Sequence, residues 1–139
     1  MDSINFEKYE NEFKLIREEL NKKAKYCDFI IKVVANYFNV EESALTKPSK
    51  ENRFKRRIAM YICYIEEINL STIRRKFNND VPAAWTYDSL MYMKEHQIKE
   101  DEKFRQEVCN LKEILKKSKE KTNGEFWKRW NYKLLKTFW

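Results

Sequence analysis

The stretch ALTKPSKENRFKRRIAMYICYIEEINLSTIRRKF, residues 44–77, decides how this chain folds. A polar, basic loop runs into Phe54, Ile58, Ile62 and Ile65, spaced four, four and three apart, which is the stripe of an amphipathic helix ending around Asn69. After the break at Asn69, Ser71 stands ready to cap a short second helix. That helix buries Ile73 and Phe77 and turns Arg74, Arg75 and Lys76 outward. Upstream, Pro48 separates this unit from the turn at Glu41–Leu45.

Working outward, every neighbouring segment reads as helix. Phe6, Tyr9, Phe13, Ile16, Leu20 and Cys27 form one stripe with Ala24 in its last gap, and Tyr26–Phe38 is apolar on most sides, a second, buried helix ending near Asn39. Asn78 and Asn79 suit a positive-φ turn, and Pro82 opens a new element, a helix over Trp85–Gln97. Another helix over Glu100–Lys121 has Phe104, Val108, Leu111 and Leu115 as its stripe. Gly124 then marks a break before the amphipathic tail EFWKRWNYKLLKTFW. One Gly and two Pro in 139 residues leave almost no hairpin chemistry, so the fold class expected is all-α.

Composition narrows the function classes. The chain is 42% hydrophobic and 37% charged, enough to fold around a core, with a formal net charge of +7 that favours an acidic partner. Cys27, Cys63 and Cys109 are odd in number and form no C-x-x-C pair, and His96 is the single histidine, so no zinc site is expected. The three cysteines read as small core residues in a reducing, cytoplasmic setting. The mixed-charge N-terminus has no signal-like apolar region, and no apolar run reaches the roughly eighteen residues of a membrane span. There is no Gly-rich phosphate loop and no nucleophile elbow. Glu66 and Glu67 read as a solvated pair and His96 as a surface residue, so neither an enzyme nor a cofactor is expected.

The segment from Asp28 to about Gln97 resembles the C-terminal DNA-binding domain of the bacterial replication initiator DnaA. The residues carrying the resemblance are Val34–Val40 (VANYFNV), Ala44-Leu45, the basic loop, Arg56–Met60 (RRIAM), Asn69–Phe77 (NLSTIRRKF) and a second helix ending in SLMYM. The resemblance implies a DnaA C-terminal, Trp-repressor-like bundle over residues 28–97 containing a helix-turn-helix. An extra N-terminal helix (1–27) precedes it and a helical extension with its tail (98–139) packs on it.

In that family the basic loop enters the minor groove and the second helix of the helix-turn-helix reads the major groove. Carried over, the loop positions are Lys47, Lys50 and Arg53, with Arg56 at the start of the next helix. Thr86, Tyr87 and Asp88, followed by Ser89, stand where the recognition residues begin. The family's Gly-Gly turn and Arg-Asp-His-Thr-Thr run are replaced by NNDVPAAWTYDS, so recognition of the initiator's own site is not implied. Charge placement extends the expected DNA-binding set to Lys55, Arg57, Arg74, Arg75 and Lys76, acting as phosphate ligands.

The partner expected is double-stranded DNA, in replication initiation or its regulation, with no small-molecule substrate. The alternative is a protein-interaction module that kept the fold and lost the DNA. In the tail, Phe126, Trp130, Leu134 and Phe138 form one row and Trp127, Leu135 and Trp139 its neighbour, with Lys128, Arg129, Lys133 and Lys136 opposite. Covering its own domain is the first reading of such a segment; a protein partner or self-association comes next, and an anionic membrane surface last.

Overall fold

A computed structural model describes the backbone of residues 6–77 and 81–121 and the side chains of residues 10–77 and 81–118. The described chain is all-α, in the order α1 (Phe6–Phe38), α2 (Glu42–Thr46), α3 (Arg53–Ile65), α4 (Leu70–Lys76), α5 (Ala83–Tyr92), a π-helical segment (Met93–Gln97), α6 (Ile98–Glu100) and α7 (Glu102–Lys121). No strand occurs among the described residues.

The two N-terminal helices expected from the sequence are one helix of 33 residues, and the boundary placed at 27/28 falls inside it. Nothing between Leu20 and Ile30 stops a helix, and the apolar seam passes from Leu20 to Cys27 and Ile30 without losing phase. The helix ends at Asn39, whose φ of 55° is left-handed. There the Asn39 amide donates to Asn36 O (3.2 Å) and the Val40 amide to Ala35 O (2.9 Å), a Schellman closure.

A second closure of the same kind ends α3 at Ile65, earlier than the sequence suggests. Glu67 takes φ 66°, its amide donates to Tyr64 O (3.1 Å) and the amide of buried Ile68 to Cys63 O (3.0 Å). A chain with one glycine thus uses Asn and Glu at left-handed positions that glycine usually fills.

Asn69, not Ser71, caps α4. Its backbone is extended (φ −67°, ψ 151°), its carbonyl accepts from the Ile73 amide (3.1 Å), and its Oδ1 accepts from the Thr72 hydroxyl (2.8 Å). Ser71 is exposed in the first turn. The fifth helix starts two residues before Trp85, directly after Pro82, and its last turns widen to π-helix before Asp101 stops α6. Asp101 then caps α7, its Oδ1 accepting from the Phe104 amide (3.0 Å).

All of these helices share one core. Tyr26, Ile30 and Val34 of α1 meet Leu45 of α2, Ile58 and Ile62 of α3, Ile73 and Phe77 of α4, Leu90 and Met93 behind α5, and Phe104 and Leu111 of α7. Burying a side chain of this size stabilises the fold by about 1.5–3 kcal/mol. Tyr61 sits between α3 and α7 with its ring centroid 5.6 Å from that of Phe104.

Cys27 and Cys63 are core residues as expected, with their sulfurs 3.6 Å apart; burial, then contact with Cys27, pushes the Cys63 thiol well up. Cys109 is exposed instead, because it follows Val108 and turns off the α7 stripe. Glu66 is also not a solvated residue. It is half-buried, and its Oε1 accepts a hydrogen bond from the Tyr26 hydroxyl.

Candidate nucleic-acid interface

The expected DNA-binding residues divide sharply once their surroundings are known. An open groove of about 1110 Å³ lies between the 50–57 corner and the α5 end of the molecule. Lys50, Glu51, Arg53, Phe54 and Arg57 form one wall. Asp88, Ser89 and Tyr92 of α5 form the other, and Gln97, Glu100, Asp101 and Glu102 close the end. Of the thirteen expected contacts, five therefore share one concavity although about thirty residues of sequence separate the two walls: Lys50, Arg53, Arg57, Asp88 and Ser89.

Arg53 and Lys50 are exposed, free to reach outward. Arg57 is held: its Nε and Nη2 donate to Gln97 Oε1 (3.2 and 2.9 Å), and its guanidinium lies 6.0 Å from the Tyr92 ring centroid. Burial, and then the charge of Arg53, push the Arg57 pKa down. Its planar face is thereby fixed across the groove.

Five other expected contacts are engaged elsewhere. Arg56 turns inward, its Nη2 donating to Phe77 O (2.7 Å), and burial pushes its pKa down. Lys55 leans over the Phe38 ring, 5.8 Å from its centroid. Arg74 and Lys76 do not project freely from α4 as the sequence suggests. Arg74 Nε donates to Val81 O (2.7 Å), tying the end of α4 to the approach of α5, and Lys76 pairs with Asp28 of α1 (2.9 Å). Thr86 is 2% exposed, with no hydrogen-bond partner for its hydroxyl among the described residues, and this removes it from any direct base contact. It lies on the face of α5 that carries Leu90 into the core. Lys47, Arg75 and Tyr87 are exposed but outside the groove lining.

Sequence reasoning missed Tyr92, Gln97 and the acidic end of the groove. Tyr92 was findable, since it follows Asp88 by four residues and Ser89 by three on one helical face. Gln97 and Asp101 were not, because the π-helical segment shifts the register that α-helical spacing assumes. The acids matter: Glu51, Asp88, Glu100, Asp101 and Glu102 outnumber Lys50, Arg53 and Arg57, so the groove is mixed in charge and its positive side is confined to the 50–57 wall. Beside it, α5 exposes Trp85 (61%), Tyr87 (50%) and Tyr92 (53%).

Among the described residues no cluster of His, Cys, Asp and Glu is placed to hold a metal ion, and no helix is long and apolar enough to cross a membrane. No protein-family model, curated protein or solved structure shows a significant match to the chain.

Proposed function

We propose that this protein binds duplex DNA, with the 50–57 wall on the phosphate backbone and the exposed face of α5 toward the bases. The observation that carries this reading is the shared groove. Two exposed cations, Lys50 and Arg53, share the groove with Asp88 and Ser89 of α5, which comes after α4 along the chain, where a helix-turn-helix would have its second helix. In that motif the second helix supplies base contacts while basic side chains around it neutralise phosphates. Asp88 suits a cytosine amino group and Ser89 either partner of a pair. The resemblance of residues 28–97 to the DnaA C-terminal domain adds a link to replication initiation or its regulation.

Fluorescence anisotropy with a labelled duplex, repeated across a salt series, tests the reading. Lys50→Ala with Arg53→Ala should weaken binding and reduce the slope of log K against log salt by about two units, close to one per lost phosphate contact. Unchanged affinity and slope would overturn it.

A second reading rests on the three exposed aromatics of α5. Trp85, Tyr87 and Tyr92 are residues enriched in protein interfaces, and the acids at the groove end fit a basic peptide. DNA affinity that is absent at low salt would select it.

A further inference from the structure

One apolar seam follows the sequence of α1 at spacings of three and four. Toward the C-terminus it is sealed in the core: Cys27, Ile30 and Val34 have no exposure at all. Toward the N-terminus the same seam is bare. Phe13 is 62% exposed, Ile16 55% and Leu20 46%, and every described side chain from Glu10 to Asn21 faces solvent. A helix alternates apolar and charged faces in this way when the apolar one has a partner.

The path of α7 leads toward this bare half. Asn110 Nδ2 of α7 donates to Tyr37 Oη near the end of α1 (3.0 Å). Helix α3 runs back along α1, from Lys55 over the Phe38 ring to Glu66, which accepts from Tyr26. In the same sense α7 follows α3, from Phe104 at Tyr61 to the depression that Cys109, Lys112 and Leu115 share with Glu66. Advancing along α7 therefore means moving back along α1, toward the bare half. Both helices rise about 1.5 Å per residue. The interval that separates Tyr37 from Tyr26 accordingly carries α7 from Asn110 to Lys121, its last described residue.

Residues 122–139 follow from that point, outside the described residues. Their sequence carries the Phe126–Trp130–Leu134–Phe138 row and the neighbouring Trp127–Leu135–Trp139 row, with Lys128, Arg129, Lys133 and Lys136 opposite. At helical rise, residues 124–139 would extend about 24 Å, enough for the roughly 18 Å of Glu10–Asn21. The balance of charge agrees with this pairing: residues 10–21 carry Glu10, Glu12, Glu18 and Glu19 against Lys14 and Arg17, while the tail carries Lys128, Arg129, Lys133 and Lys136 against Glu125.

We propose that residues 124–139 pack against Phe13, Ile16 and Leu20 of the same chain, extending along α1 the antiparallel pairing that α7 begins. A second copy of the chain would have to find this seam from dilute solution. A tethered segment meets it at an effective concentration on the order of millimolar. The proposal is independent of what the groove binds.

Cross-linking in the full-length chain tests it. Cys109→Ser removes the exposed thiol, and Arg17→Cys with Asn131→Cys then places one thiol beside the α1 seam and one in the tail without touching an apolar residue. Brief treatment with a short bismaleimide should give an intramolecular link at monomer mass, lost when Leu20→Asp is added. Covalent dimers would assign the seam to a second copy, and no link above the single-cysteine controls would leave it uncovered; either result overturns the proposal. Amide exchange supplies a readout free of new cysteines. Leu134→Asp should abolish protection of residues 10–21, and unchanged protection counts against the contact.

Discussion

Replacing Arg56 by Met separates its structural role from a DNA-binding one, because methionine keeps much of the side chain's apolar stem and loses only the guanidinium. Arg56 Nη2 makes a 2.7 Å bond to the carbonyl of Phe77, the residue that closes α4 and is itself fully buried. Carbonyls at a helix end have no partner within the helix, and one left unpaired in the interior costs about 1–3 kcal/mol. A hydrogen bond from a charged donor is worth about 1.5–3 kcal/mol, and part of that is offset because burial already disfavours the charged guanidinium. The net expectation for Arg56→Met is a loss of about 2 kcal/mol, or ~6–10 °C in Tm for a chain of this size.

Urea and thermal unfolding followed by circular dichroism read the loss directly. DNA affinity, measured below the unfolding transition, should stay within two-fold of the parent. An unchanged urea midpoint together with a ten-fold weaker DNA complex would refute the inward assignment. It would return Arg56 to the phosphate-binding role that the DnaA resemblance implies.

Two further outcomes are expected. Thr86→Val removes a buried hydroxyl that has no partner among the described residues, so stability should hold or rise by up to about 1 kcal/mol with DNA affinity unchanged; a several-fold loss of affinity would put Thr86 at the interface after all. Burial, and then the hydrogen bond to Glu66, hold the Tyr26 phenol well above its usual range. Its proton is therefore kept on folding but lost from the unfolded chain above about pH 10, so this contribution is intact below that pH and falls as pH rises through it. Tyr26→Phe should flatten the alkaline decline of stability by up to about 1.4 kcal/mol per pH unit, and parallel declines for the two proteins would exclude Tyr26 as its source.

What the sequence made legible follows from how local each signal is. Helix content was readable because the chain has almost no glycine or proline and its apolar residues recur at three and four. The stripe of α7 was readable for the same reason, and Phe104, Val108, Leu111 and Leu115 are all buried. The continuity of α1 was obscured by a change in breadth: the seam is narrow up to Leu20 and widens where the helix enters the core, which imitates two helices of different kinds. Thr86 is a different case. Its place one turn before Leu90 marks it as buried on spacing alone, and only the register borrowed from the DnaA domain set it among the base-reading residues. The direction of a cation was least legible, since it depends on which carbonyl or carboxylate the tertiary fold brings within reach.

That last point has a physical source in the composition. With one glycine available, helix ends here either close on a left-handed Asn39 or Glu67, as α1 and α3 do, or take donors for their carbonyls from elsewhere. Arginine supplies them repeatedly. Arg56 donates to Phe77 O at the close of α4, and Arg105 Nη1 donates to Lys99 O (2.9 Å) and Ile98 O (3.4 Å) in α6. Arg74 is likewise taken up by a carbonyl, Val81 O, although that one lies outside any helix. A positive charge at a helix C-terminus also meets the negative end of the helix dipole, so the arrangement is favoured electrostatically as well as by the hydrogen bond. A sequence rich in arginine and poor in glycine therefore overstates the cations available to an outside anion. Of the nine basic residues between Lys47 and Lys76 in the two clusters, Lys47, Lys50, Arg53 and Arg75 are exposed. Under the proposed DNA-binding reading, the salt dependence should accordingly reflect about four phosphate contacts at most, and not nine.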